Sequence, residues 1–318
     1  MPGPSDSPTP RWSRVGFLGP EATFCEQAAQ SLPDIEAIDL VPYASMPEVL
    51  HATDNGEVDA GVVAIENALE GMVNVTVDTL TFEVDLMIQN EMIVPVSLDL
   101  LGVPGSTLGD IESVASMPVA FGQCRGFLHT TLPGVIERAA DSTAGAARTV
   151  AEQGDKRVAA LANTLAGERY GLEVLSSAVE DDAENATRFV LVAPDRVPAP
   201  TGHDKTTIVV FQQADRPGSL LAILAEFAAR AINLTRLESR PARSGLGDYC
   251  FLMDLEGHIA DEVVADALRS LYAEQARCKF LGSYPVAGDD GVATRAEASS
   301  AQQDAVRWID TLRSRISD

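Results

Sequence analysis

Apolar residues in this chain fall into short runs separated by polar turns, and two kinds of spacing alternate. Residues 15–18 and 59–65 are continuous apolar runs, which are typical of strands buried on both faces of a sheet. Residues 23–31 and 45–53 have apolar positions at helical spacing, and each range begins with a Thr or Ser suited to a helix N-cap. This order of elements predicts an α/β fold.

Residues 86–103 mark a change in this pattern. They are nearly all β-favouring, yet Pro95 interrupts them, so they are too long for one ordinary strand. We expect a strand pair that carries the chain from one lobe into a second, followed by three strand and helix units and a return through residues 181–187. Two crossovers of this kind would place Asn67 and Thr187 at a cleft between two lobes, where a small anionic ligand can bind.

A second folding unit follows the proline-rich residues 194–202. The predicted order over residues 205–286 is strand, helix, strand, strand, helix, strand. This is the ferredoxin-like βαββαβ arrangement, with two helices on one face of an antiparallel sheet. We expect the other face of that sheet to be bare or to form an oligomer interface.

Charge and composition exclude several classes of function. The 318 residues contain 23 Lys and Arg against 47 Asp and Glu, a net charge of −24. This predicts no nucleic-acid and no membrane partner, because such partners are held by clustered cations. The start of the chain lacks the pattern of a signal peptide, so we expect a cytoplasmic protein. Four scattered cysteines indicate neither a disulfide framework nor a zinc site, and we expect no metal and no cofactor.

The most informative stretch is residues 185–189, Asn-Ala-Thr-Arg-Phe, which leads directly into an apolar run. Ligands bind at strand ends in open α/β sheets, where Arg offers a planar fork for a carboxylate and Thr offers a movable proton. Side chains alternate along a strand, so Thr187 and Phe189 are expected on one face and Arg188 on the other. Taken alone, the stretch favours an ordinary strand that carries one surface Arg, and only agreement with the rest of the chain favours a binding site.

Two motifs together resemble one enzyme family. Residues 185–189, with Asp181 ahead of them, are similar to the Thr-Arg-Phe signature of the prephenate dehydratases, and residues 234–241, Leu-Thr-Arg-Leu-Glu-Ser-Arg-Pro, are similar to the second signature of that family. The resemblance covers roughly residues 15–286. Further matching segments are Gly19-Pro20-x-x-Thr23-Phe24, Ile65-Glu66-Asn67, Gln123-Cys124 and Ser142-Thr143-Ala144.

The resemblance implies a fold and a reaction. The expected fold is an α/β, two-lobed, periplasmic-binding-protein-like (type II) catalytic domain followed by a ferredoxin-like ACT regulatory domain. The implied reaction is dehydration and decarboxylation of prephenate to phenylpyruvate, with feedback by L-phenylalanine in a homodimer or homotetramer formed through ACT domains. The expected domains are a tail 1–13, a catalytic domain 14–198 (first lobe about 14–83 and 180–198, second lobe about 84–179), an ACT domain 205–286 and a tail 287–318 with an amphipathic helix.

The resemblance also implies roles for individual residues. Thr187 is expected to face the leaving hydroxyl, Arg188 to hold a carboxylate and Phe189 to shape the pocket. The residues expected to bind or surround the substrate are Thr23, Glu66, Asn67, Ser116, Gln123, Asp141 and Thr143. The residues expected to bind phenylalanine are Gly218, Ser219, Leu220, Asn233, Glu238, Ser239, Arg240 and Pro241.

The chain departs from the family pattern at four positions. Ala68 stands where the family usually has Ser, and Met117 stands where it usually has His; Ala22 and Cys25 replace a common Gly and a common Ser or Thr. These departures leave other functions open: an arogenate dehydratase, a catalytically inactive amino-acid sensor or a transport-type binding protein. A purely structural, dimerising second domain is also open.

Overall fold

The computed structural model describes residues 11–194, 196–212, 216–243, 245, 248–275, 277–288, 307–308 and 311–315. These residues divide into two compact units. The first contains the described residues up to 86 together with residues 92–194. The second contains residues 87–91 and the described residues from 196 onward.

One sheet of the first unit contains strands from both ends of that unit. The strands are β1 (Arg14–Leu18), β2 (Asp39–Tyr43), β3 (Ala60–Asn67), β4 (Gly71–Met72), β5 (Met87–Pro95) and β11 (Ala186–Ala193). Their order is β2-β1-β3-β11-β5, and β4 pairs with β3. β1 is parallel to β2 and β3, whereas β11 runs antiparallel to β3. The start of β11 and the end of β3 therefore meet at one edge of the sheet.

A second sheet in the same unit is formed by the chain between β5 and β11. Its strands are β6 (Asp99–Gly102), β7 (Ser113–Ser116), β8 (Ile136–Ala139), β9 (Val158–Ala162) and β10 (Glu173–Ser176). The order is β10-β6-β9-β7-β8, with β7 parallel to both β8 and β9. The chain thus crosses twice between two sheets, which confirms the expected two-lobed fold.

Helices cover the faces of both sheets. They are α1 (Phe24–Gln30), α2 (Met46–Asp54), α3 (Asn74–Phe82), α4 (Pro118–Gln123), α5 (Arg125–Thr131), α6 (Thr143–Gln153) and α7 (Thr164–Tyr170), with short 3-10 turns at Ile35–Ala37 and Leu108–Asp110. The side chains of Thr23, Ser45, Ser142 and Asn163 accept a backbone N–H as N-caps of α1, α2, α6 and α7. Such caps satisfy amide groups that have no partner inside the helix.

The boundary between the lobes differs from the sequence expectation. The pattern places residue 84 at the start of the second lobe, whereas β5 pairs in the first sheet and the second sheet begins with β6. Pro95 ends β5, and the chain then leaves that sheet. β5 and β6 therefore do not pair with each other, because they belong to different sheets.

The second unit contains the expected βαββαβ order. Its elements are β12 (Asp204–Phe211), α8 (Ser219–Ala228), β13 (Leu234–Pro241), β14 (Tyr249–Glu256), α9 (Glu262–Glu274) and β15 (Arg277–Pro285). The sheet is antiparallel in the order β13-β14-β12-β15. One buried cluster, which includes Ile208, Ile223, Phe227, Met253 and Leu271, joins both helices to one face of the sheet.

The opposite face of this sheet is not bare. Lys205 points away from the helices, and its Nζ lies 2.9 Å from Glu91 Oε2, at the end of the β5 segment that belongs to this unit. Gly282 packs so closely on Ile88 that an added Cβ would lie 2.6 Å from the Ile88 carbonyl oxygen. Residues 87–91 therefore cover part of the face that the sequence left open.

Both predicted tails lie largely outside the described residues. Of the expected C-terminal helix, residues 307–308 and 311–313 are helical, and Trp308 and Leu312 are exposed. The remainder of that helix and residues 1–10 are outside the described part of the chain. Among the described residues, no helix combines the length and apolarity that a membrane crossing requires.

Candidate active site

A β-bulge shapes the edge where β3 and β11 meet. Thr187 pairs with Asn67 and Phe189 pairs with Ala64, so two steps along β11 correspond to three steps along β3. A bulge of this kind changes the direction of side chains locally and is frequent beside functional sites. Here the extra residue of β3 brings the side chain of Asn67 to that of Thr187.

The amide of Asn67 links this edge into one network. Asn67 Oδ1 accepts the backbone N–H groups of Leu69 and Glu70, both at 3.0 Å. Because backbone amides can only donate, this fixes which end of the side chain is the oxygen. Asn67 Nδ2 therefore faces Thr187 Oγ1 at 2.9 Å and Asn185 Oδ1 at 3.0 Å. The Thr187 oxygen accepts from Asn67, and its own hydroxyl proton can be donated to a ligand.

Arg188 and Glu66 form the neighbouring pair across the same two strands. Arg188 Nη1 lies 3.6 Å from Glu66 Oε2; the Arg side chain is 9% exposed and the Glu side chain 38%. The nearly buried guanidinium of Arg188 therefore lies beside a partly exposed carboxylate, at the distance of an ion pair.

Phe189 lies in the hydrophobic core of the first lobe. It is 1% exposed and packs in a cluster with Val15, Phe17, Ala28 and Ala64. By packing in this core, Phe189 stabilises the start of β11, where Thr187 lies. The resemblance implies that Phe189 shapes the pocket, and this role stays a prediction.

Thr23 uses its hydroxyl to hold the start of α1. Its Oγ1 donates to the carbonyl of Leu18 at 2.8 Å and accepts the N–H of Glu26 at 3.3 Å. The loop between β1 and α1 is fixed by these two bonds. Thr23 is 7% exposed, so its visible contribution is a helix cap at the mouth of the first lobe.

The residues expected from the second lobe are spread over several elements. Ser116 is fully buried at the end of β7 and donates to the Leu161 carbonyl at 2.7 Å. The backbone carbonyl of Gln123 accepts from Asp181 N–H at 2.6 Å, which ties α4 to the returning chain. Thr143 is the first residue of α6, and Asp141 is exposed just ahead of it. In the described part of the chain, none of these side chains makes a hydrogen bond to Thr187.

A cavity of about 730 Å³ lies between the two lobes. The ends of β1 and β2 contribute one wall, through Gly19, Pro20 and Tyr43 among others. The other wall contains Arg138, Asp141, Ser142 and Arg148 from the β8–α6 region of the second lobe. This wall carries two guanidinium groups and the start of an 11-residue helix, against the carboxylate of Asp141, and Arg148 also lies 3.9 Å from Glu152.

Polar contacts also join the lobes beside the cleft. Arg169 on α7 lies 3.2 Å from Glu21 Oε2 and 3.1 Å from Glu26 Oε1. Tyr170 Oη donates to the Glu21 carbonyl at 2.8 Å. Glu26 is buried and also accepts the N–H of Ala22. These contacts hold the loop after β1 against the second lobe.

Two buried thiols, one in each lobe, are poor nucleophiles. Burial raises the pKa of Cys25 to about 12, although backbone hydrogen bonds with Leu18 and Ala64 oppose this shift. Burial also raises the pKa of Cys124 to about 12, with a contribution from Glu180. Both side chains stay protonated at neutral pH, and a protonated thiol is not the reactive form.

Two features of this site were not singled out from the sequence. Asn185 stands at the head of the signature stretch, but its bond to Asn67 spans 118 positions and leaves no local pattern. Arg169 and Tyr170 end α7, and nothing in their spacing points to Glu21. A polar residue at the end of a buried strand is a sequence signal for a site residue. Asn67, the last residue of β3, and Asn163, which follows β9, both show this signal.

The second unit has an open pocket of about 510 Å³ between α8, β13 and β14. It is lined by Gly218, Ser219, Leu220 and Ser239 from the expected effector site, together with Gln212, Arg216, Leu221, Leu224, Tyr249 and Phe251. Gly218 has φ +88°, a left-handed conformation that favours glycine. Ser219 Oγ donates to Gln212 Oε1 at 2.8 Å.

The other expected effector residues lie elsewhere on this sheet. Asn233 is next to the opposite end of β13, where its Nδ2 donates to Glu256 Oε1 at 2.9 Å. Glu238 and Arg240 alternate with Ser239, so they point to the other face of the strand. Pro241 ends β13. Within one chain, the pocket therefore contains only four of the expected effector residues, namely Gly218, Ser219, Leu220 and Ser239.

The arrangement can be compared with known proteins. The family model described as prephenate dehydratase matches residues 15–197, more than half of the chain, and the ACT domain model matches residues 206–271. The chain belongs to the prephenate dehydratase family. The match covers both sheets of the first unit and the β3–β11 edge.

Prephenate dehydratases also appear among the relatives and solved structures. The enzyme of Mycobacterium bovis (strain BCG / Pasteur 1173P2) is 40% identical over 310 residues, 94% of each chain. The crystal structure of prephenate dehydratase from Arthrobacter aurescens in complex with L-Phe has TM-score 0.82 and 36% identity, covering 95% of this chain and 99% of that one. GqqA, described as a novel type of quorum quenching acylase, has TM-score 0.78 and 33% identity, covering 86% and 98%.

The departures from the prephenate dehydratase pattern have clear positions in the fold. Ala68 is exposed beyond β3, and its N–H donates to the Ala186 carbonyl at 2.9 Å. Met117 is the half-buried residue before α4. At Ala68 the backbone preserves a link between the two strands, even though the side chain has no hydroxyl.

Proposed function

We propose that this chain converts prephenate to phenylpyruvate, water and carbon dioxide at the β3–β11 edge. The observation that carries the proposal is the network in which Asn67 holds Thr187 Oγ1 at 2.9 Å, inside a family-matched unit. A fold shared with a protein described as an acylase does not decide the reaction, which depends on the residues at this edge.

The reaction needs little covalent help from the enzyme. Prephenate loses the hydroxyl at C4 and the ring carboxylate opposite to it, and the product ring becomes aromatic. The C–O bond breaks with both electrons going to oxygen, the C–C bond to the carboxylate supplies the electrons for the ring, and one proton completes the water. A donor that stabilises the departing oxygen therefore lowers the barrier.

Thr187 is the proposed donor to that oxygen. Because its Oγ1 already accepts from Asn67, the hydroxyl is oriented and its proton is available to the leaving group. An aliphatic hydroxyl is a weak acid, so Thr187 acts mainly by hydrogen bonding, and solvent supplies the proton that the overall reaction consumes. Developing negative charge is then stabilised without a charged acid.

The proposed roles of the remaining residues follow from charge. Arg188 holds a substrate carboxylate, and Glu66 keeps its guanidinium in position. Arg138 and Arg148 raise the local concentration of a dianion in a chain of net charge −24. Thr23, Ser116, Gln123, Asp141 and Thr143 shape and cap the walls of the cleft. The cytoplasmic location expected from the sequence stays a prediction.

We further propose that L-phenylalanine binds the second unit and inhibits the reaction. The Arthrobacter aurescens structure contains L-Phe, and the pocket around Gly218 lies at the start of α8, where the first backbone amides have no partner inside the helix, beside apolar Leu220 and Leu221. The pocket is open in one chain, so a second ACT domain is proposed to close it. The remaining effector residues, Asn233, Glu238, Arg240 and Pro241, would then act from that partner or at the domain interface.

The test uses the full chain, purified from a host that lacks its own prephenate dehydratase. Phenylpyruvate formation is followed by ultraviolet absorbance at neutral pH with prephenate, and phenylalanine formation is followed with arogenate. We expect turnover with prephenate above the uncatalysed rate. Turnover that equals the uncatalysed rate would contradict the proposal, and a strong preference for arogenate would change the substrate.

A further inference from the structure

Asn185 is the residue immediately before β11, and the fold buries it to 1% exposure. Its backbone N–H donates to the Asp182 carbonyl at 3.3 Å, and its carbonyl accepts the N–H of Val96 at 2.8 Å. Its side-chain Oδ1 accepts from Asn67 Nδ2 at 3.0 Å, whereas its own Nδ2 is buried without a hydrogen-bond partner.

An amide nitrogen in this situation calls for an explanation, because buried donors are almost always satisfied. Rotating the Asn185 amide would point its NH2 group at the NH2 group of Asn67, whose orientation is fixed by Leu69 and Glu70. Only the oxygen of Asn185 can face Asn67. The unpartnered nitrogen is therefore the consequence of holding Asn67.

The two hydrogens of Asn67 Nδ2 have three acceptors nearby. The bonds to Thr187 Oγ1 and Asn185 Oδ1 are 2.9 and 3.0 Å long, and the Ala186 carbonyl is farther away at 3.3 Å. Asn185 therefore takes the hydrogen that does not point at Thr187. Without this acceptor, the amide of Asn67 loses the contact that keeps its other hydrogen directed at the Thr187 oxygen.

We infer that Asn185 is a positioning residue, which acts through Asn67 to orient the hydroxyl of Thr187. The inference rests on the proposed function of Thr187. It predicts an effect on the chemical step and a small effect on substrate binding, because Asn185 lies behind Asn67 and is buried. If Asn185 served only folding, its substitution would lower stability by the same amount whether residue 67 is Asn or Ala.

A double-mutant cycle in the full chain separates these roles. The variants are Asn185→Ala, Asn67→Ala and the double variant, with Asn185→Asp as the variant that keeps an acceptor. We expect Asn185→Ala to lower kcat by about ten- to a hundredfold, as for a misplaced catalytic group, with KM within about threefold. In the Asn67→Ala background, the same change should lower kcat by less than about twofold, because coupled residues are not additive.

Two further measurements keep the test decisive. Asn185→Asp should recover most of the lost kcat, since its carboxylate oxygen can accept from Asn67 in the same shape. Thr53→Val is the matched control, because Thr53 is also buried in the first lobe and donates to the Val49 carbonyl at 2.8 Å within α2. It should lower the melting temperature but leave kcat and KM unchanged.

Equal losses of kcat in both backgrounds, or a raised KM with unchanged kcat, would overturn the inference. If the wild-type chain does not turn over prephenate, the proposed function fails separately. The inference is then decided by the Asn67 side-chain amide signals in a ¹⁵N spectrum, assigned by their absence in Asn67→Ala. We expect Asn185→Ala to shift them, and unchanged signals would contradict the contact.

Discussion

The β3–β11 edge and the pocket of the second unit differ in how far one chain completes them. At the edge, the amide of Asn67 has partners on both of its ends, and Arg188 has Glu66 beside it. In the second pocket, Leu221 is 70% and Tyr249 43% exposed. One site is organised before a ligand arrives, and the other leaves apolar surface open.

This difference has a physical consequence for each proposed function. A catalytic group gains most when its position is fixed in advance, because reorganisation then adds nothing to the barrier. An effector site that needs a second chain instead links ligand binding to assembly, and it can shift only an equilibrium between two arrangements. The predictions below examine the two sites in turn, from the largest expected effect to the smallest.

The largest effect is expected from Thr187→Val, which keeps the shape of the side chain and removes the hydroxyl. Loss of one donor aimed at developing charge should lower kcat by about 10²- to 10³-fold. Steady-state rates with prephenate measure the change, and Thr187→Ser is the matched control that retains a hydroxyl. A folded valine variant with wild-type kcat would remove Thr187 from the proposed mechanism.

Arg188→Lys should act mainly on KM. An ammonium group keeps the charge beside Glu66 but cannot make two parallel hydrogen bonds to a carboxylate. Loss of one charge-assisted bond corresponds to about 1.5–3 kcal/mol, or roughly ten- to a hundredfold in KM. Arg157→Lys, at an exposed ion pair with Asp155, is the control and should keep the wild-type KM. Equal KM values for both variants would mean that Arg188 does not contact the substrate.

Gly218→Val tests the second pocket. The φ of +88° is strained for a β-branched residue, and although no atom lies within 4 Å of an added Cβ, the side chain would fill space in the open pocket. We expect the response of turnover to L-phenylalanine to disappear. Turnover without L-phenylalanine should remain measurable, as rates at increasing L-phenylalanine concentrations will show.

Gly56→Val provides the control for that experiment, because Gly56 also has a positive φ (+74°) and no atom near its Cβ, but lies at the end of α2. It should keep the phenylalanine response. An identical response in the Gly218 variant, or no binding of L-phenylalanine to the wild type by calorimetry, would contradict the effector site. Sedimentation with and without L-phenylalanine tests whether a second chain closes the pocket.

The smallest effect concerns alkaline pH. The pKa of Cys25 is raised to about 12 from a reference value of 9.0 because the thiol is buried. Folding stability should thus be unaffected by this group below about pH 9 and should fall as the pH rises from 9 towards 12, since the unfolded chain releases the proton first. Urea unfolding at several pH values should show a smaller alkaline loss for Cys25→Ala than for the wild type. Parallel pH profiles would contradict a shifted thiol.

Local sequence determined much of the fold. The continuous apolar run at residues 59–65 has the composition of a doubly covered strand, and β3 is buried over most of its length. Thr23 stands three residues before Glu26, and its hydroxyl accepts the Glu26 N–H as an N-cap, although the Glu26 carboxylate accepts the N–H of Ala22. The βαββαβ order of the second unit likewise follows from periodicity and turns. These features depend on interactions between residues near each other in the chain, so a pattern of neighbours reveals them.

The residue pair at the candidate site was only partly predictable. Thr187 and Asn67 each follow from a strand end and from the family motifs, but their contact depends on a bulge in β3. A bulge changes which side chains face each other without changing the hydrophobic alternation of β11. The contact of Asn185 with Asn67 could not be predicted either, because Asn67 stands 118 positions earlier in the chain.

The sequence by itself determined the class of fold, the two units and the residue types at the strand ends, because apolar periodicity and capping act over a few positions. Tertiary structure alone decided which of these residues meet. It placed Arg169 against Glu21 and Glu26, covered the sheet of the second unit with residues 87–91 and aligned Asn185, Asn67 and Thr187. These contacts join segments that are far apart in the chain, and their geometry depends on the register of strands, which local composition does not encode.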